Sequence, residues 1–243
     1  MESSSQTAAP SHKCDRSLVI MAKAPRPGRV KTRLTPSLPL PAITAFYRCL
    51  LDDTLSLARS LGDVEVAIMC PASDVDEMGC IVGDGMRVVA QEGEGLAAGL
   101  TSVFAQFAAP GSQRVVAFNS DSPHLPASVL ESAFEALVAF DVVVGPTQDG
   151  GYYLVGARAV HPGLFEGDGM GTGSALDALL ARARTLRLSV GFTDPFYDID
   201  VATDLTRLHA ELRLAPARAP RTASWMEEWG QVVAQLPRDA EHP

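Results

Sequence analysis

Eleven residues near the N-terminus, Lys23-Ala-Pro-Arg-Pro-Gly-Arg-Val-Lys-Thr-Arg33, gather five basic side chains at positions 23, 26, 29, 31 and 33. The whole chain is acidic, with a formal net charge of −9. Cations concentrated against the global trend point to a local anionic ligand. Two prolines and a glycine keep the segment from entering a helix at once, so its side chains and backbone amides face one spot. Lysine brings a point charge; arginine brings a planar fork that matches phosphate oxygens. The bland alternative is a solvated charge run. Position weighs against it, because the loop leaves the apolar run Leu18-Val-Ile-Met-Ala22. The phosphate loop GxxxxGK[ST] is absent, as is GxGxxG, so dinucleotide oxidoreductase chemistry gains no support.

Carboxylates supply the complementary chemistry. Asp121 follows an apolar run directly, within Asn119-Ser-Asp-Ser-Pro123. A carboxylate at a strand end suits Mg2+, which takes carboxylates, water and phosphate oxygens; the competing reading is a turn-forming Asp that caps the next helix. In Tyr197-Asp-Ile-Asp-Val201, Asp198 and Asp200 alternate along an extended segment, so one of the two is expected to face the site. Asp200 could equally be the N-cap of the helix that follows. Asp121 and Asp200 together would hold a metal between distant parts of the chain. Asp149-Gly150-Gly151 allows close backbone approach to a ligand, or serves as a plain connector. Gly169-Met-Gly-Thr-Gly-Ser174 opens a helix whose free amides and hydroxyls suit phosphate, or serves equally as a plain flexible N-terminal cap. His124 is more readily structural than an acid–base group.

These residues need a scaffold that brings them together. Short Val/Ile/Leu runs at 18–22, 64–70, 87–90, 114–118, 141–145, 152–156 and 186–190 alternate with helical patterns at 41–61, 96–107, 126–140, 174–186 and 201–212. Alternating strands and helices predict a three-layer α/β/α domain with a mostly parallel mixed sheet. Ligands of such sheets bind beyond the carboxyl ends of the strands. The loops 23–33, 119–124, 146–151 and 196–200 all fall there, which is the reason to treat them as one site. The expected organisation is a disordered tail over 1–16, a nucleotide-binding catalytic domain over 17–213, and a linker with a short helix over 214–243. Within the last, 214–223 reads as linker and 224–236 as helix.

Bulk composition agrees with this frame. Hydrophobic residues make up 47% and charged residues 20%, an ordinary globular mix. The acidic balance argues against nucleic acid as partner. The first residues carry no apolar signal core, and no apolar run reaches the ~18 residues of a membrane span. The cysteines at 14, 49, 70 and 80 show no zinc spacing. A reduced cytoplasmic setting is expected.

Taken together, Lys23–Leu34, Ser120-Asp-Ser-Pro-His-Leu-Pro126, Gly145-Pro-Thr-Gln-Asp-Gly-Gly-Tyr-Tyr-Leu154 and Tyr197-Asp-Ile-Asp200 resemble a family of uncharacterised glycosyltransferase-like proteins. Some members carry an arsenosugar-biosynthesis label. The family is similar to the glycosyltransferase-A superfamily, which includes the 2-phospholactate and molybdenum-cofactor guanylyltransferases. The resemblance covers about residues 17–212. It implies that Arg29 and Lys31 hold the triphosphate and reach the transferred phosphate, flanked by Lys23 and Arg33. It implies metal ligands at Asp121 and Asp200, and an acceptor or sugar turn at Asp149, Gly150 and Gly151. The candidate catalytic residues are therefore Lys31, Arg29 and Asp121. Ala22, Lys23, Arg26, Arg29, Lys31, Arg33, Ser120, Asp149, Gly150 and Gly151 are expected to bind the nucleotide, with Mg2+ or Mn2+ as cofactor.

Two reactions fit. In nucleotidyl transfer, an acceptor phosphate attacks the α-phosphate of a nucleoside triphosphate, GTP or CTP being favoured, and pyrophosphate leaves. In glycosyl transfer from a nucleotide sugar, an acceptor hydroxyl needs a base, for which Asp149 is the nearest candidate. Five cations suit the larger charge of a triphosphate with a phosphorylated acceptor. A non-catalytic nucleotide-binding protein is the third reading. Partners beyond these small molecules are limited to a second copy of the chain.

Overall fold

The computed structural model describes residues 14–83, 85–108, 113–167, 174–233 and 235. Most of the expected tail, and Gly169–Gly173, lie outside them. The tail reading ends too late, however. Arg16 already opens the first strand, and the Asp15 carbonyl accepts the Arg114 amide at 2.8 Å.

The strands are β1 (Arg16–Met21), β2 (Glu65–Cys70), β3 (Arg87–Ala90), β4 (Arg114–Asn119), β5 (Val142–Pro146), β6 (Tyr152–Ala157) and β7 (Val190–Phe192). Among the described residues they form one sheet in the order β3-β2-β1-β4-β6-β5-β7. Only β6 runs against its neighbours, pairing antiparallel with both β4 and β5. The helices are α1 (Leu40–Arg59), α2 (Val75–Val82), α3 (Gly95–Phe107), α4 (Ala127–Ala136), α5 (Ala175–Thr185), α6 (Ala202–Leu214), α7 (Pro220–Glu228) and α8 (Gly230–Val233).

Side chains of β1 alternate between two cores. Leu18 and Ile20 join Leu51, Leu55, Met78 and Phe134 from α1, α2 and α4. Val19 joins Leu100, Val103, Phe104 and Leu179 from α3 and α5 on the other face. Burial on both faces is why the strands read as continuous apolar runs. The three-layer, mostly parallel architecture expected from the sequence is thus the one observed.

The helix expected at 126–140 ends at Ala136, α2 has no counterpart among the expected helices, and two further stretches depart more. The strand expected at 186–190 begins only at Val190. The chain first reverses after α5 through Arg187 in the left-handed region, φ 59, while the Leu188 amide returns to the Ala183 carbonyl. Residues 214–223 are not a linker. Helix α6 runs to Leu214, a 3-10 turn takes Pro216–Arg218, and α7 starts at Pro220. Proline is favoured at a helix start. The Pro/Ala/Arg composition hid a packed segment, because its apolar residues are the small Ala219 and Ala223 followed by Trp225 and Met226. These four bury against α1 and α6, with Trp225 4.7 Å from the Phe46 ring. No described helix is long and apolar enough to cross a membrane.

A single carboxylate ties α7 to α1. Asp53, 2% exposed, accepts the Arg221 amide at 3.2 Å and the Thr222 amide at 2.8 Å. It serves the open first turn of α7 from another helix. Asp53→Ala strands buried donors and is expected to lower stability by about 2 kcal/mol. The check is the urea midpoint: a midpoint equal to the parent's would show that the cap contributes nothing.

Candidate active site

Four loops leave the same edge of the sheet, after β1, β4, β5 and β7. The segment after β7 reaches furthest. Its Thr193 and Phe196 amides donate to the Val144 and Pro146 carbonyls, prolonging the β5 edge. It then crosses toward the β4 loop. His124 meets Phe196 and Tyr197 at ring distances of 4.8 and 4.7 Å. The Ser122 hydroxyl donates to the Tyr197 carbonyl and to Asp198, and the Asn119 amide donates to Asp198 at 2.7 Å. Loops separated by two strands in the sheet are thereby joined.

At the junction lies Lys31. Its ammonium is 3.0 Å from Asp121 Oδ2 and 2.9 Å from Asp200 Oδ1, and its side chain is only 4% exposed. Burial alone would lower its pKa, but the fields of Asp121 and then Asp200 outweigh this and raise it. The lysine is charged. Burial likewise pushes Asp200 up, yet the Lys31 ammonium holds it below the usual carboxylate range. Lys31 adopts a left-handed backbone, φ 47 and ψ 41, a costly state for a side chain-bearing residue. The tertiary ion pairs over-determine it.

The alternation argument for Asp198 does not hold. Both aspartates are engaged by neighbouring loops, Asp200 by Lys31 of the β1 loop and Asp198 by Asn119 and Ser122 of the β4 loop. Irregular backbone between β7 and α6 breaks the two-residue period. Burial, and next the Asp121 charge, push Asp198 up to about 7.

The basic loop is less open than its sequence suggests. Arg26 gives its guanidinium to Glu77 at 2.7 Å, Asp74 at 3.0 Å and the Ser73 carbonyl. Its fork is engaged with the protein, so the expectation of a free phosphate ligand there is corrected. The amides of Ala22, Lys23, Ala24, Arg26 and Arg29 are each donated to a protein acceptor as well. Arg33 is 68% exposed and touches Asp200 at 3.4 Å. For Lys23 and Arg29 no ion pair is formed among the described residues, and both line the cleft. Five free cations are therefore not available to a triphosphate: Asp74, Glu77, Asp121 and Asp200 already balance Arg26, Lys31 and Arg33.

The cleft holds about 1170 Å3. Lys23, Arg29, Lys31, Ser120, Asp121 and Asp200 line one end; Gln91, Gly93, Glu94, Gly95 and Leu96, after β3, line the other. Asp149, Gly150 and Gly151 are not part of its wall. Asp149 instead accepts from the Thr147 hydroxyl at 2.5 Å and the Gly151 amide at 3.2 Å, closing its own turn. The β6 strand, inserted between β4 and β5, sets that turn apart.

Sequence reasoning missed Tyr47, which looked like one more apolar helix position. Its hydroxyl accepts the Lys23 amide at 3.1 Å and donates to Ser120 Oγ at 3.1 Å; Ser120 donates to Asp121 Oδ1 at 3.4 Å. An amide can only donate and a carboxylate only accept, so the chain of bonds has one direction. Asp74, the buried acceptor for the Ala24 amide at 2.9 Å, was missed also. Only helical spacing was visible for Tyr47.

Among the described residues no group of three or more His, Cys, Asp or Glu is arranged to hold a metal ion. Asp121 and Asp200 nevertheless aim one oxygen each at a common point, the Lys31 ammonium. Two hard carboxylate oxygens completed by phosphate and water fit Mg2+ or Mn2+.

Comparison with known proteins follows this geometry. Residues 54–172 match the family described as "Uncharacterized protein conserved in bacteria (DUF2064)". This match spans just under half of the chain, and the chain is similar to the family over that stretch. The match contains Asp121 and the 149–151 turn; the basic loop and Asp200 lie on either side of it. The chain is also 29% identical over 187 residues to a 2-phospho-L-lactate guanylyltransferase of Methanothermobacter thermautotrophicus, covering 74% of this chain and 80% of the relative. A candidate nucleotide-diphospho-sugar transferase of Desulfovibrio desulfuricans G20 superposes with TM-score 0.84 and 26% identity, over 91% of this chain and 97% of that one. A cytidylyltransferase of Leptospira borgpetersenii shares the fold, with TM-score 0.58 and 11% identity over 92% and 98%. The fold is that of the nucleotide-diphospho-sugar transferases, and the likeness to the guanylyltransferase matches the resemblance read from the sequence.

His124 generates a pH prediction. It is 1% exposed, neither ring nitrogen has a partner among the described residues, and burial pushes it down to about 3. A histidine lowered on folding stays neutral in the native state and binds its proton first in the unfolded state. Stability is therefore full above the unfolded value near 6.5 and is lost as pH falls toward 3. His124→Phe keeps the aromatic packing and is expected to remove a few kcal/mol of that acid sensitivity between pH 7 and 4. Parallel urea titrations of parent and variant with identical pH slopes would exclude His124 as the source.

Proposed function

We propose that this protein is a nucleotidyltransferase that moves a nucleoside monophosphate from GTP to a small phosphorylated acceptor and releases pyrophosphate. One observation carries the reading. The phosphate end of the cleft, at β1 and β4, faces a separate glycine-rich wall after β3, two strand spacings (about 10 Å) from β1 and three (about 14 Å) from β4. That separation suits a nucleoside laid across β1–β3 with its phosphates at Lys23 and Arg29. The cleft also exceeds the roughly 300–1,000 Å3 usual for one small ligand, leaving room for an acceptor. Glu94 at the far wall is an acceptor for the paired N1–H and N2–H donors of guanine, and the guanylyltransferase relative supports the same base.

In this reaction an acceptor phosphate oxygen forms a bond to the α-phosphorus while the bond from that phosphorus to the bridging oxygen of pyrophosphate breaks. An ionised phosphate needs no general base, so the chain's task is to align reactants and neutralise charge. Lys23 and Arg29 take the leaving phosphates. Lys31 meets the oxygens of the transferred phosphate, and Arg33 guards the rim. Tyr47 and Ser120 orient Asp121. Asp121 and Asp200 would hold a divalent ion, which supplies charge neutralisation at the phosphate oxygens.

Glycosyl transfer is the weaker reading, because its base candidate, Asp149, is bonded within its own turn and stands off the cleft wall. Purified protein is expected to release pyrophosphate from GTP only with a divalent ion and a phosphorylated acceptor together. Release of nucleoside diphosphate from nucleotide sugars, with no pyrophosphate from any triphosphate, would sink the proposal. Lys31→Ala is expected to lower kcat by about 100-fold with the far-ultraviolet circular dichroism retained. An unchanged kcat would remove Lys31 from the mechanism.

A further inference from the structure

We propose that the Lys31 ammonium is a stand-in cation at the metal position, so that a divalent ion is admitted only when a nucleotide's phosphates draw Lys31 away. This rests on the reading above that Asp121 and Asp200 hold the metal.

The geometry argues for exclusion. Asp121 Oδ2 and Asp200 Oδ1 point at one spot, and Lys31 Nζ stands there at 3.0 and 2.9 Å. A divalent ion between the same oxygens would sit well within 3 Å of that ammonium. Two cations so close in a shielded site repel strongly. The lysine must therefore leave before the metal enters. Its departure is opposed, since the side chain is 4% exposed and no other carboxylate contacts the ammonium among the described residues. Phosphate oxygens of a bound nucleotide are the anions that would receive it. The backbone favours such a shift: Lys31 is left-handed, at the start of the Thr32–Leu34 turn, and such a conformation persists only while its surroundings hold it.

The protein's own metal ligands point the same way. With two carboxylates, the site by itself holds a divalent ion only weakly, and phosphates add the further ligands that tighten it. Metal and nucleotide thus bind with positive coupling, and by linkage each raises the affinity for the other equally.

The test measures Mn2+ affinity of the full chain without nucleotide, by electron paramagnetic resonance of the free ion. Lys31→Met keeps the stem and removes the charge; Lys31→Arg keeps the charge. The Met variant is expected to bind Mn2+ about tenfold or more tightly than the parent, and the Arg variant to stay as weak as the parent. Lys31→Gln repeats the measurement should the Met variant fail to fold. Equal affinity in parent, Met and Gln variants, abolished by Asp121→Asn, would overturn the stand-in role while leaving the metal reading intact. Mn2+ binding that ignores Asp121→Asn, or none in any variant, would overturn both.

Discussion

The ammonium of Lys31 between Asp121 and Asp200 is the contact on which the rest of the site depends. Its three members come from the β1 loop, the β4 loop and the segment before α6, separated by as many as 169 residues. A buried lysine is tolerable only beside compensating charge, and two carboxylates crowded together are tolerable only beside a cation. Each group makes the others affordable. The left-handed backbone of Lys31 is the local consequence.

Around that contact the fold supplies rigidity in layers. Asp74 and Glu77 hold Arg26, so the prolines and glycine of the basic loop follow one path. Tyr47 bonds that loop to Ser120. The aromatic group of His124, Phe196 and Tyr197 joins the β4 loop to the strap after β7, and Arg207 lies 3.7 Å over the Tyr197 ring from α6. Helix α7, backed by α8, buttresses α1, the helix that carries Tyr47. A segment far from the cleft thereby helps to position a residue in its wall.

Charge in this protein reads differently in one dimension and in three. Along the chain, residues 23–33 are a basic cluster. In space, Arg26 and Lys31 are neutralised by acids from elsewhere, and Lys23 and Arg29 are left facing the cleft. Uncompensated positive charge therefore rests on a few cations in a cleft walled by protein, where fields are weakly screened.

Much of the architecture was legible from sequence alone. Continuous apolar runs such as Leu18–Met21 and Val142–Val144 announce strands buried on both faces, and their alternation with helical spacing announces a parallel sheet with ligands at its carboxyl edge. The basic loop, Asp121 and Asp200 were legible as candidates because their residue types and loop positions carry chemistry by themselves. Burial of α7 was not, because alanine and proline look alike in a linker and in a tight helix packing. Nor was the partner of Arg26, the role of Tyr47, the exclusion of Asp149 from the cleft, or the turn of Asp200 onto Lys31 and of Asp198 onto Asn119 and Ser122. Those depend on which strand lies beside which: β6 inserts between β4 and β5, and the strap after β7 folds back over both. Local periodicity is set by backbone geometry a few residues at a time, so sequence determined the elements. Pairings between residues more than a hundred positions apart are set by packing, so only the tertiary structure decided which charges meet.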